Sequence, residues 1–195
     1  INAHVNGIGK VNGKYVYVTE SILNEAKLLI KLQKCNPVNG FTYIYNFIKD
    51  SKNYFLITKY GGISLFEYIK HYHTLLQNNE ININIWLQHI KILFKQMIDH
   101  LKWLHSNGVC HMDISLENMT IFGSQFKDGK FINHGQVYFI DYGLAIDFNE
   151  YNLDINGNLT YMYDKNVGKS RYKAPELFFN SMYDCRLIDV WSLGI

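Results

Sequence analysis

Between residues 111 and 118 the chain reads HMDISLEN, and at 141 to 143 it reads DYG. Asp113, Asn118 and Asp141 carry hard oxygen donors, the kind magnesium takes while leaving the rest of its shell to water and phosphate. A single Asp or Asn is more often a turn residue, because both side chains bond their own backbone in turns. Here Asp113 and Asn118 precede the apolar run NMTIF, and Asp141 directly follows VYFI. That order points to a cation and phosphate site at the ends of neighbouring strands.

The elements that must hold these residues are legible on either side. From Ile85 to His105, apolar residues at 86, 87, 90, 93, 94, 97, 98, 101 and 104 step by threes and fours, and Asn107-Gly108 closes the helix. SILNEAKLLIKL, residues 21–32, reads as a short amphipathic helix with Ser21 as N-cap. FTYIYNFIKDSKNYFLITKY reads as a strand pair around a polar loop at 49–53, and Gly61-Gly62 ends it. NMTIF and VYFID read as short strands, with the polar GSQFKDGKFINHGQ between them. Residues 141–176 show little periodicity, and long structureless segments inside compact domains are usually functional.

Composition narrows the function. The chain has 195 residues, 48% hydrophobic and 15% aromatic, enough for one packed domain or slightly more. A net charge of +2 leaves no basic stripe, so no nucleic-acid partner is expected and small phosphorylated ligands fit better. Cys35, Cys110 and Cys185 are odd in number and far apart, suggesting neither a disulfide framework nor a zinc site, and a reducing, intracellular and cytoplasmic location. No leader and no apolar run of about 18 residues is visible, so no membrane span is expected. The missing initiator Met and the stop inside DVWSLGI read as a fragment cut at both ends.

Taken in order, the motifs resemble the catalytic domain of eukaryotic protein kinases. His111-Met112-Asp113 with Asn118 is similar to the catalytic loop, Asp141-Tyr142-Gly143 to DFG and Ala174-Pro175-Glu176 to APE. Asp189-Val190-Trp191-Ser192-Leu193-Gly194 resembles the helix that follows, and Glu25 resembles the ion-pair glutamate of the family's helix C. The resemblance implies a two-lobed α+β kinase fold. Residues 1–60 would be a partial small lobe with helix C and the family's fourth and fifth strands, its first three strands missing. Residues 61–195 would be a partial large lobe, truncated in the helix after APE.

The resemblance further implies transfer of the γ-phosphate of ATP to a protein hydroxyl with Mg2+. Serine or threonine is favoured over tyrosine, because GKSRYKAPE resembles the serine/threonine pattern. Asp113 would accept or orient the substrate hydroxyl proton, and Asn118 and Asp141 would hold magnesium. Thr58 would be the gatekeeper, with the backbone of Lys59 and Gly61 facing the purine. The rival reading is a pseudokinase that binds nucleotide or partners without catalysis.

Departures from the family pattern sharpen the expectations. GIGKVNGK, residues 7–14, looks like a phosphate-cradling loop, but only 16 residues separate Gly9 from Glu25, and it reads as a turn-rich connection. The fragment alone is therefore expected to be inactive. Met112 replaces an arginine that reads an activation-segment phosphate. Ser115 replaces a lysine, and Lys169 stands where threonine is typical. The expected exchange puts the Lys169 ammonium beside Asp113 and the γ-phosphate, with Ser115 bonding where the threonine would. An apolar residue at 112, a hydroxyl at 115 and Gly-Lys before Ala-Pro-Glu are similar to the FIKK group of parasite kinases or a related protist branch.

Overall fold

Ser21 opens the first long helix by accepting the Asn24 N–H at 3.3 Å, and helix α1 runs Ile22–Gln33. The computed structural model of the chain describes residues 8–11, 14–17, 21–148, 167–179 and 183–195. Ahead of α1, strands β1 (Ile8–Val11) and β2 (Lys14–Tyr17) pair antiparallel with Val11 opposite Lys14. This pairing corrects the expectation of a turn-rich connection at 7–14. The residues between the strands, Asn12 and Gly13, lie outside the described set, but Asn-Gly between β-branched and aromatic runs is a strong two-residue hairpin signal.

The α1 helix buries Ala26, Leu28, Leu29 and Leu32. Strands β3 (Ile44–Lys49) and β4 (Tyr54–Thr58) pair antiparallel beside it, as the aromatic and β-branched runs require. Their loop is held by Asp50 Oδ1, which accepts the N–H groups of Lys52 and Asn53, both at 2.6 Å. Past Gly61-Gly62, β5 (Ile63–Ser64) leads into helix α2 (Leu65–Gln77). Periodicity alone does not announce this helix. Its signal is Ser64-x-x-Glu67, half of a capping box, and Ser64 Oγ does accept the Glu67 N–H at 3.2 Å.

Helix α3 (Ile83–Ser106) is the 24-residue spine and buries Trp86, His89, Leu93, Met97, His100, Leu101 and Leu104. Leu87 and Phe94, inward by simple periodicity, are 48% and 40% exposed, and two histidines take inward places instead. His89 Nε2 meets the Tyr68 hydroxyl at 2.9 Å and its ring stacks on Phe131. His100 stacks on Phe139. Burial lowers their pKa values to about 4 and about 3, so both stay neutral in the fold.

After α3, β6 (Val109–Cys110) pairs with β11 (Ile146–Asp147), and β7 (Met119–Phe122) lies between β10 (Gln136–Phe139) and β5 in an antiparallel sheet. The polar segment between NMTIF and VYFID is a hairpin, β8 (Gln125–Lys127) with β9 (Lys130–Asn133), turned at Asp128-Gly129, where both residues have positive φ. Helix α4 (Cys185–Gly194) starts at Asp184, whose Oδ1 accepts the Arg186 N–H at 2.9 Å. Among the described residues the core has two parts: a large cluster around α1, α2 and α3, and a smaller one that includes Cys110, Met112, Leu144, Ile146, Val167, Tyr183 and Ile188. The segment 111–118 lies between them, with Met112 in the smaller cluster and Ile114 in the larger. Among the described residues no helix is long and apolar enough to cross a membrane.

The two leucines of α3 separate burial from periodicity. Leu104, 0% exposed, should lose about 2–5 kcal/mol on Leu104→Ala. Leu87→Ala should change stability by no more than about 0.5 kcal/mol. Equal shifts of the two urea midpoints would contradict this packing.

Candidate active site

The loop that carries Asp113 is pinned from beneath. Asp189, on α4 and 0% exposed, accepts the His111 N–H on Oδ2 and the Met112 N–H on Oδ1, each at 2.8 Å. His105 Nε2, at the end of α3, stands 3.0 Å from the same Oδ2. The Met112 backbone is held at a φ of 66°, a left-handed conformation rare outside glycine, and its side chain is buried in the smaller cluster. An apolar group therefore fills the place where the family's arginine would read a phosphate. Above it, His111 Nε2 reaches the Ile140 carbonyl at 3.1 Å and ties the loop to the end of β10.

On that support four expected residues converge. Asn118 Nδ2 donates to Asp113 Oδ2 at 2.6 Å and to the Asp113 carbonyl at 3.0 Å. The Lys169 backbone N–H donates to Asp113 Oδ1 at 3.1 Å. Its ammonium donates to Ser115 Oγ at 2.7 Å and to Asn118 Oδ1 at 3.1 Å, with Glu117 Oε2 at 3.8 Å. The close approach depends on Gly168, whose φ is 76° and whose absent Cβ would fall 3.1 Å from the Met112 carbonyl. Burial pushes the Asp113 carboxyl above its ordinary range, Lys169, His111 and Asn118 pull it back, and Asp141 adds a further upward push.

The other expected residues line a neighbouring cleft of about 600 Å³, which includes Glu25, Thr58, Lys59, Gly61 and Asp141. Ile140 N–H donates to the Asn118 carbonyl at 3.0 Å, so cleft and loop share a backbone junction. The Lys59 N–H is taken by the Tyr43 carbonyl at 2.7 Å. Asp141 has a φ of 64°, and its Oδ1 accepts the Gly143 N–H at 3.3 Å. Tyr142 turns the opposite way, fully buried, with its hydroxyl 3.3 Å from His100 Nε2 and its N–H donating to Glu25 Oε1 at 3.2 Å. The α1 helix is docked on the same segment by Asn24 Nδ2 on the Ala145 carbonyl at 2.9 Å and by an ion pair of Lys31 with Asp147.

Three contributors to the site are not singled out by the sequence. His105 and Glu117 give no signal as isolated residues on a helix end and a loop. Thr42, whose hydroxyl donates to the Phe139 carbonyl at 2.7 Å, looks in sequence like an ordinary strand residue. Ligand atoms of His105, Cys110 and Asp189 lie within 4.8 Å of one another, but both Asp189 oxygens are already bonded to backbone N–H groups, and the cluster reads as structural.

A catalytic loop, an aspartate at the end of a strand and a cleft beneath a helix and strand pair are the parts of a phosphoryl-transfer domain. The family model described as protein kinase domain matches residues 9–195, and the chain belongs to that family. It is similar to the serine/threonine-protein kinase PSK2 of Saccharomyces cerevisiae, 26% identical over 179 residues, 90% of this chain and 13% of that protein. It is also similar to the serine/threonine-protein kinase ksp1 of Schizosaccharomyces pombe, 27% identical over 90% of this chain and 33% of that protein. The serine/threonine-protein kinase PRR2 of Saccharomyces cerevisiae is 34% identical over 110 residues, 55% of this chain and 13% of that protein. The chain thus spans a third or less of the length of each of these relatives.

The geometry sets a titration. Because its folded-state pKa is raised, Asp113 contributes stability that is full below the unfolded carboxylate range and is lost as pH rises through the folded pKa. Lys169 is the largest opposing influence, so Lys169→Met should move the Asp113 titration further up. Carbon-detected NMR of the Asp113 side-chain carboxyl against pH reads this, and an unmoved titration would show the two groups to be uncoupled.

Proposed function

We propose that this domain transfers the γ-phosphate of ATP to a serine or threonine hydroxyl of a protein. The observation that carries the reading is the Lys169 ammonium, bonded to Ser115 and Asn118 while its own backbone holds Asp113. A loose phosphoryl-transfer transition state concentrates charge on its oxygens and needs a fixed cation beside the group that orients the attacking hydroxyl. In the serine/threonine kinase pattern that the chain resembles, a lysine at the position of Ser115 supplies that cation. The contacts of Lys169 and Ser115 support an exchange of roles between the two positions. Asp113 then orients the hydroxyl and takes its proton.

The cleft supports the nucleotide half of the reading. Thr58, Lys59 and Gly61 edge it, where the backbone of Lys59 and Gly61 would meet a purine, and Glu25 lines it from α1. Protein kinases as a family use ATP with Mg2+. The carboxylate of Asp141 and the amide oxygen of Asn118 are hard donors of the type that ion takes, and they fit it. When bound, magnesium would neutralise phosphate charge. The serine/threonine assignment is supported by the names of the relatives and by the segment GKSRYKAPE. Asp113, Asn118 and Asp141 are all present, which favours an enzyme over a scaffold.

In the natural full-length protein, Lys169→Met should lower kcat by about 10² to 10³, the usual effect of removing one preorganised charge-stabilising group. Ser115→Lys combined with Lys169→Thr should recover part of the loss. Near-normal kcat in Lys169→Met would end the exchange hypothesis, and phosphotransfer surviving Asp141→Ala would end the cleft assignment. Met112 supports a second expectation: phosphatase treatment should leave activity within about tenfold, since no guanidinium stands at residue 112 to bond an activation-segment phosphate. Of the candidate substitute cations, Lys165 lies outside the described residues and Arg171 stands in the short 3-10 turn Ser170–Tyr172. A hundredfold loss after treatment would show that a substitute operates.

A further inference from the structure

Cys110 and Cys185 are 75 residues apart in the chain, yet their Sγ atoms stand 2.8 Å from one another. Cys110 ends β6, directly before His111, and Cys185 opens α4, about one helical turn before Asp189. Both are free and buried, 0% and 3% exposed, in the smaller core cluster with Met112, Tyr183 and Ile188. Apolar packing does not account for the separation. Nonbonded carbon atoms settle about 3.5–4.0 Å apart, and sulfur is larger than carbon. A disulfide needs only a short further approach, to about 2.05 Å. The third cysteine is elsewhere: Cys35 is half-buried just after α1, with its Sγ on the Lys31 carbonyl at 3.4 Å.

We propose that Cys110 and Cys185 form a reversible disulfide on exposure to a peroxide, a covalent clasp between β6 and α4 beneath the loop that carries Asp113. Burial, then the contact with Cys185 and the charge of Asp189, hold the Cys110 thiol well above its ordinary pKa, so Cys110 is not the group that meets the oxidant. Cys185, in the first turn of α4, meets it when that turn frays. The Cys185 sulfur attacks hydrogen peroxide, the O–O bond breaks, and a sulfenic acid and one water result. Cys110 Sγ then attacks the Cys185 sulfur, the S–O bond breaks, and a second water leaves with the Cys110 proton. Two thiols are oxidised and one peroxide is reduced to two waters. The clasp joins the two elements whose alignment lets Asp189 accept the His111 and Met112 N–H groups. It fixes the support of the loop without touching Asp113, and it does not depend on the phosphoryl-transfer reading.

In the test, the natural full-length protein is treated with hydrogen peroxide, remaining thiols are blocked with N-ethylmaleimide, and the protein is digested without reductant for mass spectrometry. A peptide pair joined through Cys110 and Cys185 should be recovered, and dithiothreitol should abolish it. Hydrogen exchange supplies a second readout. Closing a loop of this length restrains the unfolded chain, so the amides of His111 and Met112 should exchange at least ~10-fold more slowly in the oxidised protein and recover on reduction. Cys110→Ala should lose both the link and the slowing. Wild type alone decides the matter if that variant does not fold. Recovery of both cysteines as separate maleimide adducts or sulfinic acids, under conditions that oxidise Cys35, would overturn the proposal. So would a link from either cysteine to Cys35 instead, or a linked protein whose His111 and Met112 amides exchange no more slowly.

Discussion

The carboxylate of Asp189 has no contact with solvent, yet it is bonded to two successive backbone N–H groups of the loop above it. Hydrogen bonds to a charged group contribute about 1.5–3 kcal/mol each. A non-glycine residue in a left-handed conformation costs about 1–3 kcal/mol. The pair of bonds therefore outweighs the conformation of Met112, and that conformation in turn sets the direction of Asp113. Removing one partner of a buried charge interaction is strongly destabilising, of order 3–5 kcal/mol. Helix α4 is thus a precondition for the geometry of a loop 77 residues earlier in the chain.

A second constraint runs through Tyr142 and Asp141, which are adjacent and face opposite ways. Tyr142 is buried to 0% exposure and needs a partner for its hydroxyl, which His100 provides from the middle of α3. His100 can do so because burial keeps it neutral. Its stacking on Phe139 ties the same ring to β10, the strand that delivers Asp141 to the cleft. The Tyr142 N–H meanwhile holds Glu25, so α1 and the cleft wall are positioned by the same residue that anchors the loop in the core. An apolar Phe would fill this space without engaging His100.

Much of this is legible because the informative residues are local. The cap at Ser21, the strand pair around 49–53 and the spine helix all follow from spacing within about one turn or one strand, and all appear within three residues of the expected bounds. Two hairpins are less legible. The pairing of β1 with β2 is overshadowed by the glycine pattern around it, and Asp128-Gly129 sits in a segment whose polarity reads as loop. Helix α2 escapes the periodicity reading although Ser64 and Glu67 mark its start. On α3 the stripe is rotated: period alone cannot tell Leu87 from His89, because the choice depends on Tyr68 and Phe131 from distant segments.

What the sequence by itself determined is the inventory of the chemistry: Asp113, Asn118 and Asp141 at strand and loop ends, and a lysine and a serine standing in each other's usual places. Residue types and their order are enough for that, since hard oxygens and a fixed ammonium suit few other reactions. The tertiary structure decided how the inventory is held. It placed Asp189 under the loop, filled the arginine position with a buried Met112, turned the Asn118 amide oxygen toward Lys169, and raised the Asp113 pKa by burial. Each of these depends on groups far apart in the chain, or on how much water the surrounding packing excludes. Neither the distance nor the local dielectric is written in any short stretch of chain.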